Sequence, residues 1–109
     1  MINAVNICGI PHTVVYKEDA FNVDATHFGQ IEYSKCEITL NSDMPKAMTD
    51  VTLWHECLHG ILLNLGYEKE CHDEQFVQAL AMALNQLATI KDLTPSACAT
   101  GNPNEVRKF

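Results

Sequence analysis

Residues 45–66 read PKAMTDVTLWHECLHGILLNLG, and the fold turns on this stretch. Met48, Val51, Leu58, Ile61, Leu62 and Leu65 recur at the three- and four-residue spacing of one helical face. Pro45 suits a first helical turn, where its missing N–H would have no partner anyway, and Asn41-Ser42-Asp43 before it offers N-caps. Gly66 stands where a left-handed C-terminal cap belongs. The stretch predicts one helix of about 20 residues, ~30 Å long and able to cross a small domain.

Toward the C-terminus, Tyr67 to Cys71 reads as a short acidic connection. A second helix follows from about Asp73 to Ile90, with Phe76, Leu80, Ala83, Leu84 and Leu87 as its apolar stripe. Beyond Leu93, Pro95, Gly101 and Pro103 indicate loop or a flexible tail over 94–109. Toward the N-terminus the texture is that of β structure. The β-branched run Thr13 to Lys17 predicts a strand, and Glu18 to His27 a polar connection. Gln30 to Tyr33 and Cys36 to Leu40 alternate around Ser34-Lys35, a hairpin pattern whose turn lacks a glycine. Strands first and helices after predict an α+β domain over 1–93: a small N-terminal antiparallel β-sheet followed by two main helices.

The bulk numbers narrow the function classes. At 109 residues and 47% hydrophobic, the chain has room for one domain with a modest core. Seven basic and fourteen acidic residues leave a formal charge of -7, which repels phosphate backbones and argues against nucleic acid as a partner. No apolar run approaches the ~18–20 residues of a membrane span. Met1 to Asn6 lacks the basic start and long apolar stretch of a secretory signal, so a soluble, cytoplasmic protein is expected. The five cysteines are odd in number and form no C-x-x-C pair, which suggests neither a disulfide framework nor a zinc ribbon.

Inside the first helix lies His55-Glu56-Cys57-Leu58-His59. Side chains four residues apart share a helical face, so two imidazoles can grip one zinc ion at ~2.0–2.1 Å. Glu56, beside the first of them, can reach a water on that ion without ligating it, which is a general base's position. The bland alternative is a pair of satisfied core histidines. Against it, two histidines and a glutamate amid Leu53, Trp54, Ile61 and Leu62 need partners in an apolar setting.

A catalytic zinc site needs a third protein ligand. Position 65 is leucine, so a third histidine six residues past His59 is excluded. Glu68, Glu70, His72, Asp73 and Glu74 remain. Glu74 is favoured: it falls in the first turn of the second helix, where the dipole suits a carboxylate, and shares a face with Val77 and Ala81. His72 comes next. Of the other residues, Cys57 points away from the metal face as a packed thiol, Trp54 fills core, and His12 takes no role.

The H-E-x-x-H motif at 55–59, followed by Glu74-Gln75-Phe76-Val77-Gln78-Ala79-Leu80-Ala81, resembles the ImmA/IrrE-like zinc metallopeptidases, and small phage- and prophage-encoded members especially. That family's second helix carries a pattern close to E-x-x-A-N-x-F-A. Glu74 and Ala81 match it, while Val77, Gln78 and Leu80 depart from it. The resemblance covers roughly 28–90. It implies a zincin-like minimal core of gluzincin type: His55, His59 and Glu74 on Zn2+, with Glu56 as base for hydrolysis of a peptide bond. The partner implied is a protein or peptide substrate bound as an added strand along Cys36–Leu40 or Gln30–Tyr33, in the host cytoplasm if the chain is phage-encoded. A peptidase also needs an oxyanion donor, for which Tyr67, Tyr33, His27 and His72 are candidates. The competing reading is a non-catalytic, zinc-stabilised interaction module, in which the metal supplements a limited core. Substrate, cleavage site and oligomeric state leave no trace in the residues.

Overall fold

In the computed structural model, which describes residues 2–18 and 28–93, the chain opens with a hairpin that its sequence pattern conceals. Strand β1 (Ala4–Ile7) pairs antiparallel with β2 (Ile10–Lys17), closing on an Ile7–Ile10 pair. The two turn residues, Cys8 and Gly9, both have positive φ, 52° and 82°. That is the twist of a type I′ turn, which matches the twist of the strands it joins. Cysteine is a rare first residue there, so no Asn-Gly or Asp-Gly signal marked it.

Strand β3 (Gly29–Glu32) pairs antiparallel with β4 (Glu37–Asn41), as the alternation predicts. A single 3-10 turn, Tyr33–Lys35, joins them, and Cys36 takes the left-handed conformation (φ 49°) that a glycine would ordinarily supply. The sheet order is β1-β2-β4-β3, and β2 runs parallel to β4. The sheet is therefore mixed, not wholly antiparallel as expected: β3 runs antiparallel to β4, and β4 then lies between β2 and β3, parallel to β2. The expected polar connection falls almost wholly in 19–27, and the tail over 94–109, both outside the described residues.

Helix α1 (Lys46–Asn64) follows the predicted bounds closely. Its N-terminus differs in detail. Asn41 Oδ1 accepts from the Asp43 N–H at 2.9 Å, so this segment makes a local turn, and the helix starts after Pro45 without a side-chain cap. Its C-terminus is a Schellman motif: the Tyr67 N–H donates to the Leu62 carbonyl at 2.8 Å and the Gly66 N–H to Leu63 at 3.1 Å, with Gly66 at φ 86°. The reversal leads into a short helix, α2 (Glu68–Cys71), where a plain connection was expected. Asp73 Oδ1 then caps α3 (Glu74–Leu93) by accepting from the Phe76 N–H at 3.1 Å.

Helix α1 is the middle layer. One side, through Leu53, Cys57 and Ile61, packs on the sheet's Ile7, Val14, Ile38 and Leu40. Val51, Trp54 and Leu62, with buried Leu58, meet Val77 and Ala81 of α3. Ile38, Leu40, Val77 and Ala81 have no exposed surface. Full burial of each larger aliphatic side chain contributes roughly 1.5–3 kcal/mol. The buried face of α3 is thus Val77, Leu80, Ala81 and Leu84. Phe76 and Leu87, expected in the stripe, are 44% and 62% exposed, and Ala83 is exposed with them, because the helix is rotated to bring Val77 and Ala81 onto α1. Close approach of α1 to the sheet is set by two glycines. A Cβ on Gly60 would meet Ile7 Cδ1 at 3.0 Å, and one on Gly29 would meet Thr52 Cγ2 at 2.8 Å. No described helix is long and apolar enough to cross a membrane.

Candidate metal centre

The face of α1 that touches neither core turns its histidines toward a cleft of about 600 Å³ between β3 and the start of α3. Phe28, Gly29, Gln30, Ile31 and Tyr33 form one wall, and His72, Glu74 and Gln78 the other. His55, Glu56, His59 and Thr52 of α1 form the floor.

His55, His59 and Glu74 converge there. The two Nε2 atoms are 3.1 Å apart. Glu74 Oε2 lies 2.9 Å from His55 Nε2, and its Oε1 lies 3.1 Å from His59 Nε2. One ligand atom from each residue falls within 4.8 Å of the others. The histidines are anchored in the mid-section of α1, and the carboxylate sits at the first position of α3, placed there by the Asp73 cap.

The outward-facing ring nitrogens are held from behind. His55 Nδ1–H donates to Gln78 Oε1 at 2.7 Å, which leaves Nε2 as the ring's lone-pair atom. His59 Nδ1 lies 3.5 Å from Cys71 Sγ. Two Nε2 atoms and a carboxylate thus face one point, and with both rings in the Nδ1–H form they present acceptors only, the donor set a divalent cation satisfies. The spacing agrees: ligand atoms on a tetrahedral zinc, each at ~2.0–2.1 Å, are about 3.3–3.4 Å apart. The residues fit the ion with a movement of a few tenths of an ångström.

Glu56 is 7% exposed and lines the same cleft without joining the cluster. Burial raises its carboxyl to about 7, with the Glu74 charge adding to the rise and His55 opposing it. Tyr33, also on the cleft wall, keeps its phenolic proton well above its ordinary range, through burial and its hydrogen bond to Cys71. Burial likewise pushes the Cys57 thiol up to about 11, in keeping with a packed thiol against the sheet-side core.

The other sequence candidates divide. His72 lines the cleft but stands outside the ligand group, while Glu68, Glu70 and Asp73 take no part in it. Tyr67 is 55% exposed and is not among the cleft residues, and His27 lies outside the described residues. His12 is buried, its Nδ1–H donating to the Ile10 carbonyl at 2.8 Å, as an ordinary structural histidine does. Gln78 and Cys71 are the residues that sequence reasoning missed. Gln78 is four residues past Glu74, a spacing that could have marked it as a neighbour on the same helical face. Nothing in the sequence singles out Cys71.

Comparison of the chain with models of known families, with characterised proteins and with solved structures found no match.

Proposed function

We propose that this protein is a zinc-dependent metallopeptidase of minimal H-E-x-x-H type. The observation that carries the reading is the convergence of His55, His59 and Glu74 on one point beside a buried carboxyl on the same cleft that does not join them. A metal used only to staple α1 to α3 has no need of Glu56, whose burial is costly.

Zinc bound by the three residues would supply a Lewis acid that polarises a carbonyl and brings the pKa of its water toward ~7. Glu56 serves as the general base, taking a proton from the attacking water and returning it to the leaving amine. Gln78 keeps His55 in the Nδ1–H tautomer. Tyr33 and His72 are the cleft residues able to donate to the tetrahedral oxyanion, the phenol by turning its proton from Cys71 Sγ toward the oxyanion.

The substrate class is an extended peptide. Strand β4 is flanked by β2 and β3, whereas β3 has no second partner strand among the described residues. The Asn41 N–H donates to the Phe28 carbonyl, so in the alternating antiparallel ladder Gly29 and Ile31 turn their backbone groups to the open edge. A peptide added along that edge runs past the metal centre. The open edge supports β3 over β4 as the strand that would receive it.

The test is hydrolysis of a library of extended peptides by the zinc-loaded protein beside Glu56→Gln. The proposal expects cleavage by the wild type, and a loss of about 10²–10⁴-fold in the variant with zinc retained. Zinc binding without cleavage of any member, equal in both proteins, would favour the interaction module.

A further inference from the structure

Behind His59 lies a thiol with three polar contacts and no exposed surface. Cys71 ends α2, and the Schellman reversal at Gly66 returns the chain so that this residue packs under α1. Its Sγ lies 3.3 Å from the His59 carbonyl, 3.5 Å from His59 Nδ1 and 3.6 Å from the Tyr33 hydroxyl. One arrangement of protons satisfies all three. The thiol carries a single hydrogen, which goes to the carbonyl, because that oxygen can only accept. The sulfur then accepts from His59 Nδ1–H and from the Tyr33 O–H. This assignment gives each of the three contacts to the sulfur one donor and one acceptor.

We propose that Cys71 is a positioning residue for the metal centre, its sulfur holding His59 in the Nδ1–H tautomer and anchoring Tyr33 at the opposite wall. The inference rests on the metal reading above. Ligating histidines are ordinarily held through their second nitrogen by a carboxylate, a carbonyl or water. Here Gln78 supplies an amide oxygen for His55, and a thiol does the same for His59. A sulfur at these distances is a weaker acceptor than oxygen, but it is fully buried and fixed by its own bond to the His59 backbone. Ring and backbone of one ligand are thereby tied to the same atom. Tyr33, at the end of β3, joins the same sulfur, so the strand that would receive a peptide is coupled to the ligand it would pass.

The measurement is zinc affinity by competition with a chromophoric chelator, for wild type, Cys71→Ala and Cys71→Ser, with helix content followed by circular dichroism. Alanine removes the acceptor and leaves a small void, and serine restores an acceptor and donor in nearly the same place. The proposal expects Cys71→Ala to bind zinc roughly 10–100-fold more weakly, and Cys71→Ser to recover most of that loss. The cobalt-substituted proteins should repeat the order in their visible spectra, with Cys71→Ala alone shifted. Equal weakening in both variants would assign the residue a packing role and overturn the proposal, as would wild-type affinity in Cys71→Ala. A wild-type protein that binds no zinc would instead remove the metal reading, an outcome distinct from either.

Discussion

His59 and Glu74 belong to different helices, yet Nε2 of one lies 3.1 Å from Oε1 of the other, while the second carboxylate oxygen reaches His55. A single carboxylate thus spans both histidines of α1. Its position depends on the Asp73 cap and on Val77 and Ala81, which seat the first turns of α3 against α1. Packing, capping and ligand geometry are therefore one arrangement, and each can be perturbed separately.

Gln78 holds His55 by one hydrogen bond of 2.7 Å. Gln78→Ala should weaken zinc binding by about tenfold or somewhat more, the lower part of the range for outer-shell partners, since the bond is exposed. Gln78→Glu keeps an acceptor and should stay near wild type. Chelator competition measures both, and equal losses in the two variants would contradict the orienting role.

Glu56 gives the metal-free protein a pH dependence of a definite sign. Its carboxyl titrates at about 7 in the fold, against 4.5 for an unperturbed glutamate. Between those values the folded state keeps a proton that the unfolded chain has released, so stability falls as pH rises through the window. Above about 7 the full cost is present, on the order of 3 kcal/mol. Metal-free Glu56→Gln should therefore be the more stable protein at pH 8, with the difference shrinking toward pH 5. Urea denaturation in the presence of a chelator measures it, and parallel stability profiles for the two proteins would refute it.

Gly29 sets the distance between β3 and α1. An added Cβ would meet Thr52 Cγ2 at 2.8 Å, Leu40 Cδ2 at 3.0 Å and the Thr39 carbonyl oxygen at 3.3 Å. Two of these neighbours are packed side chains and the third is backbone, so little can give way. Gly29→Ala should cost about 1–3 kcal/mol despite the few tenths gained from a stiffer unfolded chain. Thermal or urea unfolding gives the value, and a neutral or stabilising change would show that the layer spacing is softer than described.

The parts of this fold that sequence makes legible are those governed by local rules. Helix α1 declares itself by its periodicity and by Gly66, and His55, Glu56 and His59 by their spacing. Glu74 could be singled out because an N-terminal carboxylate beside Val77 and Ala81 had a reason to face α1. What escaped depends on contacts between distant segments or on backbone conformations adopted against type. The β1–β2 hairpin turns on Cys8 at positive φ, and the β3–β4 turn on Cys36. The parallel pairing of β2 with β4 is a long-range register that alternation within each strand does not encode. Phe76 was misassigned because two apolar faces of α3 fit the same period, and only the α1 surface decides between them. Cys71 acquires its role solely from where the Gly66 reversal delivers it.

On the proposed reading, His55, His59 and Glu74 together bind one metal ion. The direct measurement is zinc content per chain, in protein purified without added metal and then supplied with it, for wild type beside Glu74→Ala. Wild-type protein should hold close to one zinc per chain, and the variant should lose it or bind it with much lower affinity. Zinc retained undiminished by Glu74→Ala, or no zinc bound by the wild type even when supplied, would contradict that reading.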